Sequence, residues 1–357
     1  MEVRRLFSLF LLHGVTLFCA VNGDNMTEGE IKFKFVFNPS RHWSVIRLVP
    51  SIYTVVFLVA LPLNIMAILM FLVKIKVRKP AVVYMLNLAT ADLLLISTLP
   101  FHIVYRFLGS NWIFGEGMCR FVTAAYYCNT GCSVLLLTSI SVDRFLAIVY
   151  PVRSLSWRTV KRAWLVCGVI WVISVASFVP LLIKKQIYTF PELDMVVCHE
   201  YQEYDNFRGF YIIYGITIIL IFFYLQLCII TFCYIRIIRS LSSSKFHGTH
   251  KRSRAIRLSV VVLSVFVLCF GPTNVIYFIH FVRIYKDADF SLFLAYILCT
   301  SISCINCGLD PLIYYFTSSG CQRYVYSLLH RKKNKCKPVK KKMDLQTPEE
   351  ANKENSF

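Results

Sequence analysis

Seven stretches of the chain are almost purely apolar, and each is long enough to cross a bilayer. They cover 48–73, 81–105, 121–142, 163–183, 209–235, 258–279 and 290–316, and five of them contain no Asp, Glu, Lys or Arg. A hydrocarbon core of about 30 Å needs roughly 20 apolar residues in a helix, so each stretch predicts one spanning helix. So many uncharged runs of this length do not fit the buried helices of a soluble protein. The pattern predicts an all-α membrane protein, a seven-transmembrane helix bundle whose polar connections alternate between two sides.

The polar connections also orient the bundle. The loops 74–80, 143–162 and 236–257 carry 16 Lys and Arg against one acid, Asp143, whereas 106–120, 184–208 and 280–289 carry 7 against 8 acids. Cationic loops stay on the cytoplasmic side, which predicts an extracellular N-terminus and a cytoplasmic C-terminus. The first residues agree. Arg4 and Arg5 precede an apolar run from Leu6 to Phe18, with small residues at Ala20 and Gly23, the layout of a cleaved secretory signal. Asn25-Met26-Thr27 is then a glycosylation acceptor on the outer side. The expected organisation is a signal peptide at 1–23, an extracellular N-terminus at 24–47, a seven-helix bundle with an eighth helix at 48–330 and a basic disordered cytoplasmic tail at 331–357.

Composition adds less. The net charge of +20 follows largely from the cytoplasmic loops and the tail, and anionic inner-leaflet lipid is a nearer partner for such a run than nucleic acid. Most of the 14 cysteines lie within the spans, where they act as small apolar residues. Only the oxidising outer face favours disulfides. Cys119 opens the third span and Cys198 lies in the second outer loop, which makes them the predicted pair. No Cys/His spacing suggests a metal site, and the sequence lacks a P-loop, His-Glu-x-x-His and Gly-x-Ser-x-Gly. A non-enzyme is expected.

Only two carboxylates lie at membrane depth, Asp92 and Asp310. Ionisable groups there are expensive and face the bundle interior. Asn64, Ser133 and Asn306 fall at compatible depths, and the five together suit a polar hub, a cation site or a proton relay. Asp143-Arg144-Phe145 stands at the inner end of span three, Cys269-Phe270-Gly271-Pro272 interrupts span six, and Asp310-Pro311-Leu312-Ile313-Tyr314 ends span seven. Proline removes a backbone hydrogen bond and kinks a helix, creating a pivot.

In this arrangement the chain resembles the rhodopsin-like, or class A, G-protein-coupled receptors. Asn64, Leu88-Ala89-Thr90-Ala91-Asp92, Asp143-Arg144-Phe145, Trp171 and Asp310-Pro311-x-x-Tyr314 match that family's motifs over about residues 48–330. The resemblance implies a bundle that shifts between two packings when an outer ligand binds. It further implies a G-protein switch built from Asp143, Arg144, Tyr234, Phe270, Pro272 and Tyr314, and a pocket for a structural sodium ion at Asn64, Asp92, Ser133, Asn306 and Asp310. No other cofactor is expected.

A closer resemblance rests on Pro80-Ala81-Val82-Val83-Tyr84-Met85-Leu86, Cys119-Arg120-Phe121-Val122-Thr123-Ala124-Ala125, Ser154-Leu155-Ser156-Trp157-Arg158-Thr159, Phe270-Gly271-Pro272-Thr273-Asn274 and Cys321-Gln322-Arg323-Tyr324-Val325-Tyr326. These look like the protease-activated receptor family, nearest its thrombin-receptor branch. The family's mechanism implies that an extracellular trypsin-like serine protease, thrombin among them, cuts the N-terminus and that the new end acts as a tethered agonist. Lys32, Lys34 and Arg41 are the candidate cut points. Cleavage after Lys34 exposes Phe35-Val36-Phe37-Asn38, about a dozen residues from span one, a reach of roughly 40 Å. Gln226 stands where the family carries a bulge-forming proline in span five, a departure that bears on how far this span moves.

An outer pocket is expected from Tyr126, Tyr127, Tyr277, His280 and Tyr296, with His199, Glu200 and Glu203 on the loop above. The acids suit a peptide end with a positive group. Without an acid at the Tyr126 position small amines are disfavoured, because a buried ammonium needs an opposing charge. At the inner face a short amphipathic eighth helix is expected over 320–330, with Cys336 as a palmitoylation candidate. Expected partners are a heterotrimeric G protein, the activating protease and membrane lipid. Arrestin should bind weakly, since Thr347 and Ser356 are the only acceptors in the tail. The competing readings are a receptor for a diffusible peptide, lipid or nucleotide, and a transporter running on Asp92 and Asp310; no internal repeat supports the latter.

Overall fold

The computed structural model describes residues 47–190, 194–199, 208–243, 249–283, 290–317, 321, 322 and 326. The side chains of 208–212, 243, 249–255, 280–283 and 290–293 are not among those described. The expectations for Asn25, Lys32, Lys34, Arg41, Glu200, Glu203, Cys336, Thr347, Ser356 and the His280 side chain lie outside them, as does most of the eighth helix.

Among the described residues, seven helices are long and apolar enough to cross a membrane. Span one is Val49–Leu69, extended by a π turn over Met70–Ile75. Spans two, three and four are Pro80–Phe107, Gly115–Val149 and Val160–Ile183. Span five runs Arg208–Ile219, a π turn Leu220–Tyr224, then Leu225–Ser243. Span six runs Thr249–Val265, a π turn Phe266–Phe270, then Gly271–Arg283, and span seven is Phe290–Ser303 followed by Asn306–Thr317. The helix of span three outruns its apolar stretch at both ends, by six residues before Phe121 and seven beyond Val142. At 1.5 Å per residue it is about 50 Å long, so its ends project past the hydrocarbon and Asp143 and Arg144 sit on helix rather than in a loop.

The bundle turns apolar side chains outward and keeps its membrane-depth carboxylates inside, within a packed apolar interior. Leu58, Leu165, Val172, Leu225 and Leu268 are each more than half exposed, whereas Asp92, Ser133 and Asp310 are fully buried. That arrangement is what a lipid solvent demands. Between spans, polar side chains act as fasteners: Trp171 Nε1 donates to Asn87 Oδ1 at 3.1 Å. Gly131 lets span three approach spans four and five closely, since a Cβ there would meet Phe178 and Phe222 at 3.1 Å.

One connection is more ordered than an all-α reading allows. Strands β1 (Ile187–Phe190) and β2 (Met195–Cys198) form an antiparallel hairpin, with Ile187 opposite Cys198. The Cys119–Cys198 disulfide, Cα–Cα 5.7 Å, ties β2 to the start of span three. Asn111 Oδ1 accepts from the Val196 amide, and the Val196 carbonyl accepts from the Trp112 amide. Tyr105 and Trp112 pack beneath the strands.

Span seven breaks at Cys304 and Ile305, and the break is anchored from span one. Pro311 has no N–H, so the Cys307 carbonyl four residues earlier loses its helical donor. Asn64 Nδ2 donates to that carbonyl at 2.9 Å and to Ala60 O at 3.0 Å. Span five solves a similar problem differently. Gln226 Nε2 donates to the Ile221 carbonyl at 3.1 Å across the π turn, so the turn forms without the proline expected there.

Replacing Asn64 with Leu removes the donor and leaves a buried carbonyl unpaired, a loss of about 1–3 kcal/mol. The melting temperature of the purified protein should fall by several degrees. In a Pro311→Ala background, where residue 311 regains its N–H, the same substitution should cost much less, and equal losses in both backgrounds would refute the pairing.

Candidate ligand pocket and signalling core

At the disulfide end, neighbouring residues of span three face different partners. Successive helix positions differ by about 100°. Tyr126 therefore turns to span seven, its hydroxyl 2.6 Å from Ser303 Oγ. Tyr127 turns to the hairpin and span six. Its hydroxyl lies 2.9 Å from His199 Nε2 and in contact with the Tyr277 hydroxyl, and its ring stacks on Phe178. The Tyr277 hydroxyl donates to the Tyr296 hydroxyl at 2.9 Å. Tyr127, His199, Tyr277 and Tyr296 thus form one connected row, with Tyr126 beside it.

His199 reaches this row because its backbone turns. A φ of 63° just after β2 places the residue in the left-handed region, uncommon for a side-chain-bearing residue, and its amide donates to the Gln186 carbonyl at 2.8 Å. Burial, reinforced by the Lys184 charge, lowers the imidazole pKa from 6.5 to about 4.

The polar core lies deeper. Asn64, Asp92, Ser133, Asn306 and Asp310 are all buried, as is Asn129, which the sequence did not single out. Asn129, Cys307, Asp310 and Tyr314 crowd the Asp92 carboxylate, and the Tyr314 hydroxyl is 3.5 Å from Asp92 Oδ2. Asp92 Oδ1, Asn64 Oδ1, Ser133 Oγ and both Asp310 carboxylate oxygens are buried without a hydrogen-bond partner. A set of hard oxygen donors with two carboxylates fits a hard cation such as sodium. Among the described residues no group of three or more His, Cys, Asp or Glu could hold a metal ion.

At the opposite end Asp143 is gripped from two sides. Arg158 Nε and Nη2 donate to its carboxylate oxygens at 2.8 and 3.0 Å, and Arg144 Nη2 is 3.5 Å from Oδ2. The Tyr234 hydroxyl is 2.8 Å from Ser141 Oγ. Phe270, which precedes Pro272, is buried against Phe266, which stacks on Phe223. The sequence-predicted switch residues therefore occupy three stations: Asp143, Arg144 and Tyr234 at the inner end, Phe270 with Pro272 at the span-six turn, and Tyr314 at the polar core. Arg158 and Ser141 complete the first station and were not foreseen.

Comparison with known proteins fits this geometry. Residues 63–314 match the seven-transmembrane receptor model of the rhodopsin family. Proteinase-activated receptor 1 of Xenopus laevis is 55% identical over 290 residues, 81% of this chain and 68% of that protein. The chain belongs to the proteinase-activated receptor family. The Homo sapiens proteinase-activated receptor 1 is 52% identical over 282 residues, 79% of this chain and 66% of its own length. Identity drops to 34% over 273 residues for a purinoceptor of Gallus gallus, covering 75% of this chain and 76% of that one. The chain spans about two thirds of the length of the proteinase-activated receptors it matches. As a member of this family it is a multi-pass plasma-membrane receptor of the protease-activated type and not an enzyme.

The depressed His199 pKa gives a signed prediction. Between pH 6.5 and 4 the unfolded chain binds a proton at this imidazole and the folded protein does not, so stability falls as pH drops through that window. Above pH 7 this contribution is flat. Melting curves should show the fall, and His199→Gln should remove that share of it.

Proposed function

We propose that this receptor is switched on by proteolysis: a trypsin-like serine protease, thrombin among them, cuts near Lys32 or Lys34, and the freed N-terminal end enters the pocket formed by Tyr127, His199, Tyr277 and Tyr296. The observation that carries the reading is that the row of hydroxyls joins the disulfide-tethered hairpin to spans three, six and seven in one site, on a chain 55% identical to a proteinase-activated receptor. An agonist that enters this row acts on three spans and the hairpin at once. Span six carries the disturbance to Pro272, and span seven carries it to Asp310 and Tyr314. The pocket faces outward and the Arg144 end faces the cytoplasm, in keeping with the basic loops at that end. Freed there, Arg144 and Tyr234 receive a heterotrimeric G protein, and the output is phosphoinositide and calcium signalling. Cleavage after Arg41 leaves about half the reach of cleavage after Lys34.

The polar core restrains this movement. Sodium bound by Asp92, Asp310, Ser133 and Asn64 would supply a positive charge between the two carboxylates and favour the packing in which they lie together. Basic residues at the inner end engage anionic lipid, and arrestin binds weakly through Thr347 and Ser356.

Two measurements check these statements. Cells expressing the intact receptor should give a calcium response to trypsin-like proteases, and a variant with Lys32, Lys34 and Arg41 all replaced should give none. Sequencing the new N-terminus identifies the cut, and a full response with no cut would sink the tethered-agonist reading. Separately, replacing N-methylglucamine by sodium should lower basal nucleotide exchange in the wild type. Asp92→Asn should abolish the sodium effect.

A further inference from the structure

Gln186 lies outside the pocket, immediately before β1 and opposite His199, and is 3% exposed. Both ends of its side-chain amide are engaged. Nε2 donates to the Leu181 carbonyl at the end of span four at 2.9 Å. That fixes the amide's orientation and turns Oε1 to His199 Nδ1, 2.7 Å away. An amide oxygen only accepts, so Nδ1 must carry the imidazole hydrogen. A neutral imidazole then has a lone pair at Nε2. The Tyr127 hydroxyl, 2.9 Å from Nε2, has one hydrogen and must donate it there. Tyr277, whose hydroxyl also touches Tyr127, spends its own hydrogen on Tyr296, so what Tyr127 presents to the rest of the pocket is an oxygen that accepts.

We propose that Gln186 is a positioning residue that makes Tyr127 a hydrogen-bond acceptor, and that the pocket thereby selects an agonist end that donates at this point. A protonated amine, an amide N–H or a guanidinium satisfies it; a carboxylate or a carbonyl placed there meets lone pairs. This rests on the reading that the agonist enters the row of tyrosines, and it adds the chemistry of what is recognised. It also assigns Gln186 a role at a distance. The amide sets a tautomer, the tautomer sets the direction of one hydroxyl, and the hydroxyl sets the polarity of the site. The depressed basicity of His199 keeps the arrangement constant across physiological pH. Among the described residues the cationic groups acting on that ring are Lys184 after span four and His102 on span two, both opposed to its protonation when charged.

The test uses the full-length receptor in lipid nanodiscs, labelled with 15N-histidine, with the His199 signal identified by its loss in His199→Gln. In the wild type the neutral form protonated at Nδ1 should persist from about pH 8 to 5, above the depressed pKa. Gln186→Glu preserves the shape but supplies a carboxylate, so both ring nitrogens should be protonated at neutral pH; Gln186→Leu removes the acceptor and should shift the hydrogen to Nε2. A wild-type ring protonated at Nε2, or spectra unchanged in both variants, would overturn the assignment. The functional arm digests equal amounts of surface receptor with trypsin at one pH, then measures G-protein nucleotide exchange from about pH 6 to 8. Gln186→Glu turns Tyr127 into a donor towards the agonist and should lower exchange about tenfold at the acid end, the scale of one mispaired buried hydrogen bond, with recovery as pH rises. The wild type should stay flat. Equal, pH-independent exchange in both would overturn the donor selection. If trypsin activates neither receptor while the imidazole signals behave as expected, the protease reading fails and the role of Gln186 stands.

Discussion

A backbone carbonyl inside a bilayer has no water to turn to, and every irregularity in a spanning helix creates one that needs a donor. In this protein those donors are side chains from neighbouring turns or neighbouring spans. Asn64 reaches from span one to the carbonyl that Pro311 strands in span seven. Gln226 serves the π turn of span five, and Thr273, next to Pro272, adds a direct link between spans by donating to the Cys299 carbonyl on span seven at 2.9 Å. The breaks that give the bundle its pivots are thus also the points at which spans are fastened to each other. A movement at a pivot must release or carry along its fastener.

The functional groups follow the same layout. Span three runs the length of the molecule and carries Tyr127 near one end, Ser133 in the middle and Asp143 with Arg144 near the other. Each meets a different partner set, from the hairpin and span six at Tyr127, through the polar core, to Arg158 at Asp143. The Arg158 contact bears on the switch because a bidentate charge-assisted pair is among the stronger polar interactions available. It occupies the carboxylate that would otherwise act on Arg144 alone, and so sets how firmly Arg144 is held.

How much of this was legible in the sequence depended on the kind of constraint. Lipid imposes length and apolarity locally, so the spans were readable to within a few residues at most ends. Asp92 and Asp310 were readable because charge at depth is rare. Asn64 gained meaning only from the motif it resembles, since nothing local says that its amide faces Cys307. The hairpin, the π turns and Gln186 were hidden because each depends on contacts between distant segments. Tyr126 and Tyr127 make the point in two letters. As adjacent identical residues they read as one feature, yet one hydroxyl belongs to span seven and the other to the hairpin and span six.

The π turn in span five has a consequence that a proline at the same place would not. A ring deletes a hydrogen permanently, whereas the Gln226 amide is a rotatable substitute that can let go of Ile221. If it does, Leu225–Ser243 can rewind by one residue into ordinary α geometry, turning everything beyond it by about 100° about the axis. Tyr234 would leave Ser141, and the entire lower half of the span would present a new face. A single side-chain torsion would then act as the pawl of a ratchet for a helix more than four turns long.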